Sequence, residues 1–402
     1  MTSLGHMTKE QQIDEILSRG VANVIPNREE LKKALLSGKK LNVYLGIDPT
    51  STHIHLGHAV PLRKLQALVE LGHHVTFLIG DFTALIGDTS DKESERPVLT
   101  KEEITNNFST YKAQAKKIVD FSKVKVAYNS AWLSKLSYED VVKLFQHFSL
   151  NDFASRELIK KRLDAGTHIS FAEMAYPVMQ GYDSYFMDTD LQIGGTDQTF
   201  NMQAGRILQK DLRSKESFVL TTVFLEGTDG RKMSKTWGNA IWLDDEPDQI
   251  YGKTMSLKDE LIIPYFTLAT ELDLASVAEK NKRLKNGENP MKLKKELAFE
   301  LVKELHGEDS AKDAQITFEN TFQKGHTPTV IPTVSLKKID VTDWELVRLL
   351  VVGNAVSSLS EAKRLISGGA VEVDNQVIRD PSHIVKPSTI KIGKRRFLKV
   401  TI

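Results

Sequence analysis

Hydrophobic residues in the first half of the chain follow two different spacings. Short, largely apolar runs predict buried strands at 41–47 and 74–79, and the pattern at 123–128 is typical of another strand. A turn at 48–52 precedes a predicted helix at 58–71, where leucines recur at helical spacing. The same spacing predicts further helices at 101–119, 138–148, 152–163 and 171–182, and another that begins near Asp197. Strand–turn–helix–strand order is typical of parallel sheets. We therefore predict an α/β fold with a Rossmann-like doubly wound parallel sheet over residues 1–236.

The pattern changes after about Pro247, where the chain becomes helical and highly charged. A stretch punctuated by prolines then predicts a linker. Beyond this stretch lies a short segment whose pattern is typical of a compact α+β unit. We therefore predict a helical domain at 237–326, a linker at 327–334 and a small α+β domain at 335–402.

Composition narrows the class of protein. The 402 residues include no Cys, which excludes a disulfide scaffold, a thiolate metal site and a Cys nucleophile. No apolar run is long enough to span a membrane, and the N-terminus lacks the apolar core of a signal peptide. We therefore expect a cytoplasmic protein without a membrane partner.

The net charge of +1 conceals an asymmetry along the chain. Residues 335–402 carry 12 Lys and Arg against 7 Asp and Glu, whereas the remainder has a net charge of −4. A basic tail on a mildly acidic body indicates an anionic partner for the tail. A solvated lysine-rich surface would have the same composition, so charge alone does not decide between the two.

The first candidate for phosphate chemistry lies where a predicted strand ends and a helix begins. There the chain reads Asp48-Pro49-Thr50 and then His55-Leu56-Gly57-His58. A helix N-terminus presents free N–H groups to phosphates, a glycine permits close backbone approach, and imidazoles can donate hydrogen bonds. The H-x-G-H pattern alone is only moderately specific, because two surface histidines produce it as well.

The second candidate follows a glycine-containing turn at 227–230 and reads Lys232-Met233-Ser234-Lys235-Thr236. Two lysines with neighbouring hydroxyls can bind the phosphates of ATP, although an isolated K-x-x-K is more often a solvated basic loop. The two motifs together, in this order in one α/β chain, resemble the signature pair of class I aminoacyl-tRNA synthetases. This resemblance implies ATP as a substrate.

Three polar residues predict a pocket wall. On a helix, Tyr176, Gln180 and Asp183 lie at i, i+4 and i+7 and share one face. Gln and Asp are poor core residues unless they are paired. The pattern therefore favours a polar wall over a stripe of core residues.

From about residue 20 onward, the chain resembles the bacterial tyrosyl-tRNA synthetases. Four segments carry the resemblance in the order of the family: 44–50 matches Y-x-G-x-D-P-T, 85–88 matches L-I-G-D, 176–183 matches Y-x-x-x-Q-x-Y-D, and 192–198 matches Q-x-G-G-[ST]-D-Q. The resemblance implies an enzyme that activates L-tyrosine with ATP and then transfers tyrosine to the 3′ end of tyrosine tRNA. Mg²⁺ would accompany the ATP phosphates, and no protein metal site is implied.

The resemblance also implies roles for the matching residues. Tyr44 and Asp183 would bind the phenolic hydroxyl of tyrosine. The remaining tyrosine contacts would come from Asp88, Tyr176 and Gln180 at the α-ammonium group and from Gln198 at the carboxyl end. The implied catalytic residues are His55, His58, Thr50, Lys232, Lys235 and Thr236. The implied ATP-binding residues are Asp48, Gly57, Gly195, Asp197, Lys92, Arg96 and Lys235.

The basic tail resembles the S-four-like RNA-binding domain, the fold known from ribosomal small-subunit protein four, over 357–374. Its helix would present Lys363 and Arg364 outward, and a final strand would carry Lys391, Lys394, Arg395, Arg396 and Lys399. Such residues neutralise RNA phosphates. The family further implies an anticodon-binding role for 237–326 and a homodimer whose interface lies at about 105–170.

Three other functions remain open at the level of the sequence. A tryptophanyl-tRNA synthetase shares the fold and the ATP motifs but should lack the pair Tyr44 and Asp183. A non-catalytic RNA-binding protein would be expected to have lost a signature residue such as His55. Another H-x-G-H adenylyltransferase would not explain the 176–183 segment or the basic tail. Four residues depart from the family pattern, namely Leu45, Thr89, Asp91 and Thr199. These departures leave details of the ATP contacts open.

Overall fold

The computed structural model describes residues 7–88, 100–233, 237–323, 333–335, 344–353, 355–356, 358–393 and 396–401. The chain divides into two compact units, Met1–Ala311 and Lys312–Ile402. The boundary predicted near residue 236 lies inside the first unit, and the finer domain boundaries stay predictions. Within the described part of the chain, no helix has both the length and the apolar character needed to cross a membrane.

The first unit is built on a six-stranded sheet. Its strands are β1 (Val21–Ile25), β2 (Asn42–Ile47), β3 (His74–Ile79), β4 (Lys125–Tyr128), β5 (Leu191–Gly195) and β6 (Phe218–Thr222), in the spatial order β1-β6-β5-β2-β3-β4. All neighbouring pairs from β6 to β4 are parallel, which confirms the predicted fold class. The sequence did not predict β5 or β6. It also did not predict β1, which pairs antiparallel with β6. Only Val24 of this edge strand is buried, so β1 lacks the apolar run that marks the inner strands.

Helices cover the sheet and continue into the charged region after it. They are α1 (Lys9–Ser18), α2 (Arg28–Leu36), α3 (Leu56–Glu70), α4 (Lys101–Ala115), α5 (Ser130–Leu133), α6 (Tyr138–Phe145), α7 (Leu150–Ala154), α8 (Glu157–Asp164), α9 (Phe171–Phe186), α10 (Thr199–Arg213), α11 (Pro247–Met255), α12 (Ile262–Ala269), α13 (Leu274–Lys285), α14 (Pro290–His306) and α15 (Glu308–Phe318). The single helix predicted at 152–163 is wrong. Arg156 has extended backbone angles and separates α7 from α8.

The buried face of α3 fixes where the H-x-G-H motif lies. Leu62, Leu65 and Leu68 are completely buried at helical spacing. The first turn of α3 is anchored separately, because the Leu56 amide donates a hydrogen bond to the carbonyl of Ile241 at 2.9 Å. The helix N-terminus is therefore held at the carboxyl edge of the parallel strands, where open α/β sheets bind ligands.

The second unit is a small α+β structure. It contains β7 (Thr333–Ser335), α16 (Leu346–Val352), α17 (Leu359–Ser367), β8 (Val371–Val373), β9 (Gln376–Ile378), β10 (Ser388–Ile392) and β11 (Arg396–Thr401), with strand order β7-β11-β10-β8-β9. The α16 residues Leu346 and Leu350 pack in one core with Ile390 and Leu398 of the sheet. Lys363 and Arg364 are exposed on α17, as predicted.

The single final strand predicted from the sequence is wrong. Lys391 lies on β10, whereas Arg396 and Lys399 lie on β11, and the two strands pair antiparallel. Gly393 follows β10 directly and has a φ of +63°, a value that glycine adopts without strain. Lys394 and Arg395 lie outside the described residues.

Candidate active site

Two adjoining cavities open at the carboxyl edge of the sheet. The first measures about 220 Å³ and is bounded by β2, β5 and α9. Its walls include most of the residues predicted to bind tyrosine and part of the predicted ATP machinery, namely Tyr44, Asp48, Thr50, His58, Asp88, Tyr176, Gln180, Asp183 and Gln198. The shared face of Tyr176, Gln180 and Asp183 thus does line a pocket.

The second cavity measures about 230 Å³ and lies beside the H-x-G-H motif. Its walls include His55, Gly57, His58, Gly195, Asp197, Gln198 and Lys232. His58 and Gln198 line both cavities, so one ligand in each would lie close to the other. Four predicted residues, Lys92, Arg96, Lys235 and Thr236, lie outside the described residues.

Asp183 is the most deeply buried acid of the first cavity, with 2% of its surface exposed. The Trp132 Nε1–H donates to Asp183 Oδ1 at 2.7 Å, and the Asn129 Nδ2 amide donates to Oδ2 at 3.1 Å. Burial raises the pKa of Asp183 to about 8, against the two hydrogen bonds and with help from the charges of Asp48 and Asp81. The environment therefore favours the neutral acid at pH 7.

A chain of hydrogen bonds connects Asp183 to the opposite wall. The Tyr176 hydroxyl donates to Asp48 Oδ2 at 2.8 Å, the Thr83 hydroxyl donates to Asp48 Oδ1 at 2.8 Å, and Asn129 donates to Thr83 Oγ1 at 3.0 Å. Gly80 makes room for this chain, since a Cβ there would lie 1.9 Å from Asp48 Oδ1. Burial is the main reason why the pKa of Tyr176 lies well above its ordinary value, and the Asp48 charge adds to it.

A second amide–carboxylate pair lies between the two cavities. The Gln198 Nε2 amide donates to Asp88 Oδ2 at 2.7 Å, and the Asn201 amide donates to Gln198 Oε1 at 3.1 Å. Asp88 is only 8% exposed. A carboxylate held in this way is suited to an ammonium group, because it is oriented and largely shielded from water.

Tyr44 and Gln192 face each other on neighbouring strands. They are paired in the register of β2 and β5, and the Tyr44 hydroxyl donates to Gln192 Oε1 at 3.0 Å. Burial and the nearby Asp183 charge raise the pKa of Tyr44 well above its ordinary value, against a hydrogen bond from Gln180. The phenol therefore stays protonated.

The two histidines of the H-x-G-H motif stack at the start of α3, with ring centroids 3.8 Å apart. Burial lowers the pKa of His55 to about 2, and the neighbouring His58 and Lys232 contribute. Burial and Lys232 lower the pKa of His58 to about 4. Both rings are therefore neutral at pH 7, and each has one N–H that can donate to a phosphate oxygen.

Lys232 begins the basic loop and lies at the edge of the second cavity. Its ammonium nitrogen lies 5.4 Å from the centroid of the Phe224 ring, within the range of a cation–π interaction. The Phe224 ring is half exposed and lines the same cavity. The lysine is therefore attached to the wall by an aromatic contact that a phosphate can replace.

Sequence reasoning assigned no role to several residues that organise these cavities, among them Thr83, Asn129, Trp132 and Gln192. One signal was available for two of them. Asn129 and Trp132 follow directly after β4, so they lie at the same carboxyl edge as the predicted site.

Comparisons with known proteins agree with this geometry. The fold and the paired cavities define an α/β enzyme that binds a nucleotide beside a second small ligand. The family described as tRNA synthetases class I (W and Y) matches residues 36–323, and the S4 domain family matches residues 346–390. The chain belongs to the class I tRNA synthetases of the W and Y family and carries an S4 domain.

Two curated relatives span nearly the whole chain. The tyrosine–tRNA ligase of Carboxydothermus hydrogenoformans is 42% identical over 96% of this chain and 97% of its own length. The tyrosine–tRNA ligase of Dehalococcoides mccartyi strain 195 is 44% identical over 97% of this chain and 98% of its own.

Solved structures share the fold of most of the chain. The tyrosyl-tRNA synthetase of Archaeoglobus fulgidus, solved with L-tyrosine, is 26% identical with a TM-score of 0.61 and covers 77% of this chain and 100% of its own. A truncated mitochondrial tyrosyl-tRNA synthetase from Aspergillus nidulans has a TM-score of 0.65 at 22% identity, covering 79% of this chain and 95% of its own, and shows the fold alone.

Proposed function

We propose that the chain is a tyrosine–tRNA ligase. It activates L-tyrosine with ATP to tyrosyl-adenylate and pyrophosphate, and it then transfers tyrosine to the 3′ end of tyrosine tRNA. The observation that carries the choice of amino acid is the polar end of the first cavity. There the buried hydroxyl of Tyr44 and the buried carboxyl of Asp183 line one space. A phenol adds a hydrogen bond to each of these groups, whereas a phenyl ring would fill the space beside them and offer no polar partner.

The discrimination against phenylalanine follows from the same argument. Buried polar groups that expect a substrate hydroxyl reject an analogue lacking it, and the established example of this effect is tyrosyl-tRNA synthetase itself, with roughly 10⁵-fold discrimination. At the other end of tyrosine, Asp88, Tyr176 and Gln180 hold the α-ammonium group. Gln198 holds the carboxyl end, next to the second cavity.

ATP occupies the second cavity. The tyrosine carboxylate attacks the α-phosphorus, so the nucleophile belongs to the substrate and the protein supplies position and electrostatic stabilisation. Neutral His55 and His58 donate N–H groups to the polyphosphate and ribose, with Thr50 beside them. The loop residues Lys232, Lys235 and Thr236 bind the departing pyrophosphate, and Lys92 and Arg96 assist. The nucleoside end is bound through Asp48, Gly57, Gly195 and Asp197.

Mg²⁺ is held by the ATP phosphates rather than by the protein. Among the described residues, no group of three or more His, Asp or Glu is arranged to hold a metal ion. The ion would instead keep several waters and bind through the substrate phosphates. Its contribution would be to neutralise charge on the pyrophosphate.

The tRNA is bound in part through the S4 domain. Exposed Lys363 and Arg364 on α17 and exposed Lys399 on β11 provide basic positions for RNA phosphates. The helical region at 237–326 binds the anticodon end. The tyrosine carried by the adenylate is then transferred to the terminal ribose.

The enzyme acts as a homodimer through about 105–170. This segment exposes large apolar side chains, including Tyr138 at 85%, Leu150 at 65% and Leu163 at 52%. Exposed apolar residues that cluster in one segment are typical of an interface. Sedimentation at micromolar concentration should give a dimer, and a single monomeric species would contradict the proposal.

The function is tested by amino-acid-dependent ATP–pyrophosphate exchange, with tyrosine, tryptophan and phenylalanine compared in parallel. Exchange with tyrosine alone is expected. Exchange with tryptophan instead would keep the class of enzyme and overturn the assignment of the pocket. Folded protein that exchanges with none of the three would contradict catalysis altogether.

A further inference from the structure

Gln192 lies behind the tyrosine cavity, where the proposed mechanism does not use it. The residue is completely buried on β5. Its Oε1 accepts the hydrogen of the Tyr44 hydroxyl at 3.0 Å. Its contact with the substrate space is therefore indirect and passes through Tyr44.

The amide of Gln192 is held in one orientation. Its Nε2 donates to the carbonyl of Met202 at 2.9 Å, so Oε1 must face Tyr44. Gly205 of α10 makes this arrangement possible, because a Cβ there would lie 2.8 Å from both the nitrogen and the oxygen of the amide. The strand and the helix together fix which end of the amide the Tyr44 hydroxyl meets.

The orientation of Gln192 determines what Tyr44 can offer to a ligand. A phenol has one hydrogen to donate, and the Tyr44 hydroxyl donates it to Gln192. The Tyr44 oxygen therefore faces the cavity as an acceptor. A ligand that reaches it must bring its own hydrogen, as a second phenol does.

With a bound substrate, Asp183 would be the first donor in a chain of hydrogen bonds in which every hydroxyl donates toward Gln192. Trp132 and Asn129 each donate to one of its carboxyl oxygens, which orients the group toward the cavity that it lines. Burial raises the pKa of Asp183 to about 8, so the acid form has a hydrogen for the substrate oxygen. The order is then Asp183 to substrate hydroxyl, substrate hydroxyl to Tyr44, and Tyr44 to Gln192.

We propose that Gln192 is a positioning residue for tyrosine specificity: by accepting the hydrogen of Tyr44, it keeps the Tyr44 oxygen as an acceptor for the substrate phenol. The inference rests on the proposed function and deepens it. Without an acceptor at position 192, the Tyr44 hydroxyl can donate its hydrogen toward the cavity instead, and the site no longer requires a donor from the ligand.

The test compares Gln192→Met, which removes the acceptor at similar length, with Gln192→Glu, which keeps an acceptor oxygen toward Tyr44. Pyrophosphate exchange gives KM and kcat for tyrosine and for phenylalanine. The loss of one buried hydrogen bond predicts about a tenfold rise in tyrosine KM for Gln192→Met, and a fall of about tenfold or more in discrimination. We expect kcat and the ATP KM to change much less, and Gln192→Glu to retain most of the discrimination.

A matched control separates this role from a structural one. Gln209 on α10 is also completely buried, and its Nε2 donates to the carbonyls of Ser184 and Thr189. Gln209→Met should lower the melting temperature without changing the tyrosine KM or the discrimination. The effect of Gln192→Met should also disappear in a Tyr44→Phe background, because Gln192 acts through that hydroxyl.

Three outcomes would overturn the inference. They are unchanged discrimination in folded Gln192→Met, an equal effect in the Tyr44→Phe background, and the same kinetic change in Gln209→Met. If Gln192→Met does not fold, lost discrimination in folded Gln192→Glu would overturn it, and retained discrimination would support it. A wild-type enzyme that does not exchange with tyrosine would instead overturn the proposed function.

Discussion

Single hydrogen bonds to Asp183 decide how well the tyrosine cavity is organised. Trp132→Phe removes the Nε1–H that donates to Oδ1 while keeping an aromatic ring to stack on Phe186, whose ring centroid lies 4.6 Å away. A hydrogen bond to a neutral buried acid contributes about 0.5–1.5 kcal/mol. We therefore expect the tyrosine KM in pyrophosphate exchange to rise about twofold to tenfold, with little change in the ATP KM.

Trp344→Phe is the matched control for this change. It makes the same chemical substitution in the second unit, far along the chain from the cavity, and it should leave both KM values unaltered. Equal kinetics in wild type and Trp132→Phe would show that Asp183 does not depend on the indole for its orientation.

The raised pKa of Asp183 also predicts how stability depends on pH. Its pKa is raised from 3.8 to about 8 in the folded chain, mainly by burial. Between these values, the folded chain keeps a proton that the unfolded chain has released, so this group's contribution is present at low pH and is lost as pH rises toward 8. Asp183→Asn removes the titration and should gain stability relative to wild type by up to about 1.4 kcal/mol per pH unit.

Urea unfolding at several pH values between 5 and 8 measures the difference. Parallel stability profiles for wild type and Asp183→Asn would mean that the carboxyl is ionised throughout, and the assignment of the neutral acid would be wrong.

At the scale of residues, the sequence predicted which side chains line the cavity better than it predicted the residues that hydrogen-bond to those side chains. Tyr176, Gln180 and Asp183 could be placed together because helical spacing is local. Asn129, which donates to Asp183, and Gln192, which accepts from Tyr44, were given no role, because they lie on or next to other strands and meet these residues only through the pairing of parallel strands. Periodicity along one element carries no information about that pairing.

The packing of α9 on α10 aligns the wall of the cavity at the scale of elements. Gly181 of α9 lies against the α10 backbone, and a Cβ there would lie 3.0 Å from the carbonyl carbon and oxygen of Ala204. Overpacking of this kind costs about 1–3 kcal/mol. We expect Gly181→Ala to destabilise the protein in urea unfolding and to raise the tyrosine KM, because Gln180 and Asp183 move with the helix.

Gly252→Ala is the control for helix propensity. Gly252 lies inside α11, and a Cβ there meets no atom within 4 Å. Alanine is favoured over glycine in helices by about 1 kcal/mol, so this variant should be neutral or more stable. If the two variants behave alike, close packing at Gly181 does not limit the approach of α9 to α10.

Burial of a strand did not by itself decide whether the strand was predicted. The inner strands β2 and β3 were predicted within a residue of their observed bounds, whereas the inner strands β5 and β6 were missed although most of their residues are buried. The edge strand β1 has one buried residue and was also missed. The break between α7 and α8 lies at Arg156, whose backbone is extended. Because Arg is a good helix former, the sequence carried no signal for this break.

At the scale of the whole molecule, composition along the chain was more informative than local pattern. The excess of basic residues after 335 predicted an anionic partner before any strand there could be assigned correctly. The prediction of an anionic partner does not depend on the strand bounds. The tail remains basic whether Lys391 and Lys399 share one strand or lie on the two strands observed.

The last prediction concerns that tail. Removing both exposed charges of α17 with Lys363→Ala and Arg364→Ala should weaken tRNA binding and reduce the magnitude of the slope of log affinity against log salt by about 1.4–1.8, because each phosphate contact contributes about 0.7–0.9. Tyrosine-dependent pyrophosphate exchange needs no RNA and serves as the internal control, so it should stay at the wild-type level. Filter binding at several salt concentrations measures the slope. An unchanged slope would place the RNA on another face of the second unit, whereas a loss of exchange would mean that the substitutions had damaged the fold instead of the contact.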